Sequence, residues 1–140
     1  MTSSMIPLLI SLLIVGALVF VAILLTNHRN YSFDKMEYQT DLLRIENSLT
    51  RENSASYNMS VVEADKLLDK ALCEMGVQGK TMGERLKRVG REKFSQLNSV
   101  WYVHKLRNQI AHEPGFTLEF SQAARAMKVY RQALKDLGAI

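Results

Sequence analysis

Residues 95–112 read SQLNSVWYVHKLRNQIAH, and the order of apolar and polar side chains in that stretch decides the fold. At about 100° per residue, Val103, Leu106 and Ile110 fall together with Val100, Arg107 and Ala111 beside them, which predicts an amphipathic helix with one buried face. Trp101, His104, Asn108 and His112 form an adjoining stripe, and Tyr102, Lys105 and Gln109 are expected to point to water. A polar stripe that flanks a core face marks a candidate site. Pro114 disfavours helical geometry at Glu113, which puts His112 in the last turn.

The same period recurs on both sides. Ser60 and Glu63 make a capping box that opens a helix to about Met75. Ala64, Leu67, Leu68, Ala71 and Leu72 share one face of it, Asp65 and Asp69 lie on the edge, and Gly76 ends it. Thr81 and Glu84 form a second box before a short basic helix carrying Leu86 and Val89, which Gly90 stops. A last helix, about Leu118 to Leu137, buries Ala123, Ala126, Met127, Tyr130, Ala133 and Leu134, with Gly138 as its stop. Upstream, Tyr38, Leu42, Ile45 and Leu49 stripe a helix from Phe33 to Asn53; that stripe packs on the domain or pairs with a second copy. The polar residues from Arg51 to Asn58 read as a connector. No segment alternates with a period of two, so the expected fold is all α, a four- to five-helix bundle.

The N-terminus adds a second kind of segment. Twenty residues from Ile6 to Leu25 carry no charge, and fifteen of them are Leu, Ile, Val or Phe. That length matches a bilayer core of roughly 30 Å and predicts a single transmembrane helix rather than a cleaved leader, which has a shorter apolar run and small residues at its end. Arg29, Lys35 and Arg44 follow it while residues 1–5 have no charged side chain, so the C-terminal domain is expected to be cytoplasmic and the anchor to sit in the inner membrane. The expected organisation is an anchor over 1–28, a juxtamembrane helix and connector over 29–59, and a helical domain over 60–140.

All 18 Lys and Arg and all 14 Asp and Glu follow residue 28. Residues 80–93 alone carry +4, against −3 for 29–79 and +3 for 94–140. Arg85, Lys87, Arg88 and Arg91 in that segment are candidate contacts for RNA phosphates or anionic lipid headgroups; a solvated helix face is the alternative. The single Cys73 excludes an internal disulfide. No metal site is expected, since His28 stands apart and His104 and His112 are two turns from each other. No cofactor is expected either: the echo of a phosphate-binding loop at Gly79-Lys80-Thr81 has Glu74 where that motif needs Gly.

The hexapeptide Arg107-Asn108-Gln109-Ile110-Ala111-His112 closes a helix in an all-α domain. Together with Ala64 to Asp69 and Gly79 to Leu86, it resembles the HEPN superfamily, and within it the domains of the DUF4145 type, over roughly residues 60–138. The resemblance implies a dimeric binding or assembly module, or alternatively a metal-independent ribonuclease. In the second case Arg107 would stabilise the phosphorane charge, His112 would act as general acid or base, and Asn108 would orient His112 or the substrate. Trp101 and His104 are expected to add binding contacts. Arg107 and His112 differ by about 140° on the helical wheel, so the expected arrangement is a site shared by two protomers. The alternative for Arg107 is structural: a guanidinium beside Val103 and Ile110 needs a partner, and Asp65 or Asp69 would serve.

Overall fold

The computed structural model describes residues 5–26 and 32–140. His28 and Arg29, used above, lie outside the described residues. The chain divides into two compact units, and each is described by itself.

Within the first unit a helix, α1, runs Met5–Thr26. Its described large side chains, among them Leu12, Leu13, Leu18 and Phe20, are exposed. Among the described residues no helix is long and apolar enough to cross a membrane. That finding overturns the expected single-pass anchor and the inner-membrane placement drawn from it.

The second unit, Ser32–Ile140, is a helical bundle. Its elements are α2 (Lys35–Ser48), α3 (Ser54–Glu74), α4 (Met82–Arg88), a single 3-10 turn over Arg91–Lys93, α5 (Leu97–His112) and α6 (Phe120–Leu137). No strand occurs among the described residues. The central helix is α3, which packs against α6, α2, α5 and α4. Its buried face is Val61, Ala64, Leu67, Leu68, Ala71 and Leu72, a helical repeat that meets Tyr130 and Leu134 of α6 and Val100 and Val103 of α5 in one core.

Local signals set most of the boundaries. Thr81 Oγ1 accepts from Glu84 N at 3.2 Å, and Glu84 accepts from Lys80 N at 2.8 Å, so the short α4 is closed at its start. Gly76 and Gly138 take φ of 75° and 77°, the left-handed turn that ends α3 and α6.

One boundary moves. Asn53, not Ser60, caps α3, its side chain accepting from Ala55 N at 3.0 Å, and the expected connector, Arg51 to Asn58, is helical from Ser54 onward. Ser60 is fully buried in mid-helix, with its Oγ 3.2 Å from Ser48 Oγ. Asn58 clamps the loop between α5 and α6: its amide donates to Phe116 O and accepts from Leu118 N, both at 3.3 Å. Asn58 and Ser60 thus tie segments together, while Arg51 to Ser54 are exposed. The α2 stripe is settled as packing: Tyr38, Leu42 and Ile45 are buried, and Glu46 pairs with Arg131 of α6.

Candidate functional site

Three helices leave a cleft of about 750 Å³ on one side of the bundle. Asp65, Lys66 and Asp69 come from α3, Gly83, Glu84 and Lys87 from α4, and Trp101, His104, Lys105, Arg107, Asn108 and His112 from α5. The four-residue spacing of Asp65 and Asp69 turns both carboxylates to the same side of α3.

Asp65 is the floor of the cleft, with its side chain 5% exposed. It accepts from Tyr130 Oη at 3.0 Å and from His104 Nδ1 at 3.0 Å, and Arg107 Nε lies 3.6 Å away. Burial, and then the carboxylate beside it, push the Tyr130 phenol well above its ordinary value, so it stays a donor. His104 turns its other nitrogen to Asn108, whose amide N–H donates to Nε2 at 3.4 Å. The oxygen of the same amide accepts from Arg107 Nη1 at 3.2 Å. Asp65, His104, Asn108 and Arg107 thus close a ring of side chains. Arg107 Nε, buried without a hydrogen bond, is its weakest corner.

Asp69 is committed elsewhere. Arg85 forks onto it, with Nε to Oδ1 at 2.7 Å and Nη2 to Oδ2 at 2.9 Å, and also donates to Gly79 O. Hydrogen bonding to Asp69 raises the Arg85 pKa. Arg85 is therefore a buried cross-link from α4 to α3, its guanidinium engaged by protein acceptors. Lys87 lines the cleft, whereas the exposed Arg88 and Arg91 stand outside it. Trp101 is half-buried on the cleft edge, its ring edge-on to His104 at 6.1 Å between centroids.

Arg107 and His112 line the same cleft of a single chain. The wheel angle records where side chains leave the helix; the guanidinium of Arg107 travels on a flexible stem and donates to its neighbour Asn108. Lys105 is exposed, as expected, and stands on the cleft rim. Lys66 is there too, paired with Glu63 at 3.2 Å. Asp65, legible in sequence as a helix-edge carboxylate and one of two candidate partners for Arg107, also gathers His104 and Tyr130, which no sequence signal marks. Among the described residues no three His, Cys, Asp or Glu side chains gather to hold a metal.

The charge pattern favours anions. Asp65, Asp69 and Glu84 each already accept from protein donors, while Lys87 and Lys105 have no carboxylate partner among the described residues. No family model, curated protein or solved structure matches this chain.

Proposed function

We infer that the bundle is a HEPN-like binding module whose cleft holds a phosphate-bearing ligand, single-stranded RNA foremost. The observation that carries this reading is the imbalance inside the cleft: its carboxylates are engaged, and Lys87, Lys105 and Arg107 face it with cationic donors to spare. A planar guanidinium and two ammonium groups suit phosphate oxygens, and a half-buried Trp101 at the rim suits a stacked base.

The test uses Trp101, the chain's one tryptophan, as its reporter. Titration with single-stranded RNA is expected to change its fluorescence, with an affinity that falls as salt rises, by about 0.7 logarithmic units per tenfold salt for each phosphate held. Lys87→Ala with Lys105→Ala should weaken binding and flatten that slope; Arg88→Ala with Arg91→Ala should do neither. Equal effects of the two pairs would remove the cleft from the account. Self-association, expected from the same likeness, is read from the molecular mass in solution.

Metal-independent RNA cleavage is a second reading, favoured by Arg107 and His112 lining one cleft. An imidazole for proton transfer and a guanidinium for phosphate charge suffice chemically. Incubation with RNA in EDTA should then give cyclic-phosphate ends with the wild type and none with His112→Ala. Intact RNA in both leaves binding alone.

A further inference from the structure

We propose that His104 reads a neutral hydrogen-bond donor, a hydroxyl or N–H, on the anion held in the cleft, and that Gly83 is the opening through which it does so. The proposal deepens the anion-binding reading and rests on it. A carboxylate only accepts, so Asp65, 3.0 and 3.3 Å from His104 Nδ1 through its two oxygens, fixes the proton of the neutral imidazole on Nδ1. The Nε2 lone pair is left to accept. Its contact with Asn108 is long, 3.4 Å against about 2.7–3.2 Å for an ordinary bond, so a better donor would displace that amide.

The approach is open because of one residue. A Cβ added at Gly83 would stand 3.5 Å from His104 Nε2, ordinary van der Waals contact, so an alanine fits there and would cover the lone pair. Alanine also favours a helix over glycine. A histidine that merely tied α3 to α5 would need only its Nδ1 side. Lys87, Lys105 and Arg107 place the ligand's charge around this acceptor. Asp65 acts through His104 as a positioning residue.

Nuclear magnetic resonance on the isotope-labelled full chain tests this with two probes: sulfate, which has no donor at neutral pH, and glycerol 3-phosphate, which carries hydroxyls beside its charge. The free protein should show a protonated Nδ1 and a bare Nε2 on His104. Both probes should move the Lys87 and Lys105 amides, and glycerol 3-phosphate alone should move Nε2. In Gly83→Ala, glycerol 3-phosphate should bind about three- to tenfold more weakly, the worth of one hydrogen bond, with sulfate changed by less than about twofold. The opposite tautomer, a silent Nε2 while the amides respond, or equal weakening of both probes overturns the role of His104 and leaves the anion site standing. If neither probe moves any cleft resonance, the anion site falls and this role falls with it.

Discussion

Asp65 concentrates the cost of the site in one residue. It accepts from Tyr130 and His104 and faces Arg107, three groups from two helices, and is itself buried. Removing one partner of a buried ionic cluster strands the others, so Asp65→Ala is expected to lose about 3 kcal/mol, read as a shift of the urea midpoint at unchanged slope. A loss under about 1 kcal/mol would mean that water already serves those donors. Part of this cluster was legible: an arginine set between Val103 and Ile110 needs a carboxylate, and Asp65 and Asp69 were the candidates. The bond from His104 was not, because it joins residues 39 apart, and only the packing of α5 on α3 fixes which carboxylate a helix-edge imidazole meets. For Arg85, a run of basic residues looked uniform in sequence, yet one of them points inward to Asp69 and is buried.

Most helix ends were readable, including the start of α5, read near Ser95 and found at Leu97, while the start of α3 was not. Thr81, Gly76 and Gly138 stop or start their helices through bonds to adjacent turns. Ser60 carried the right pattern for a start, but Asn53 caps the chain two turns earlier, and a helix already running absorbs the later signal. The start of α5 has no side-chain cap of its own. It is anchored by Asp136 of α6, which accepts from Ser95 N and Ser95 Oγ, both at 2.7 Å. Partial burial pushes the Asp136 pKa up, but the bonds from Ser95 and Gln132 outweigh it, and the net shift is downward. A depressed carboxylate contributes stability above its ordinary pKa, and that contribution is lost as pH falls through the folded value. Asp136→Ala is therefore expected to cost about 1 kcal/mol at neutral pH, as for a lost cap. Its unfolding midpoint should begin to converge on that of the wild type as pH falls below about 4. Parallel curves down to strong acid would place the contribution in packing, not charge.

The bundle as a whole depends on a helix that the sequence left undecided between packing and self-association. Tyr38, Leu42 and Ile45 of α2 are buried with the rest of the core, Phe33 meets Tyr38 edge-on at 5.4 Å, and Arg131 reaches from α6 to Glu46. The apolar stripe was plain, but a stripe says only that something covers it; α3 and α6 do. Three such side chains are worth about 1.5–3 kcal/mol each on burial. Together they amount to roughly 5–9 kcal/mol, as large as the entire stability of many domains. The Glu46 pair adds little, because Arg131 is partly exposed and solvent screens it. A chain that starts at residue 54 keeps every residue of the cleft, yet it should fail to fold, because the α2 side of α3 and α6 would be laid bare. A chain that starts at residue 32 should unfold in one cooperative transition. Circular dichroism during thermal unfolding separates the two, and a cooperative, native-like melt from the shorter chain would show that the core closes without α2.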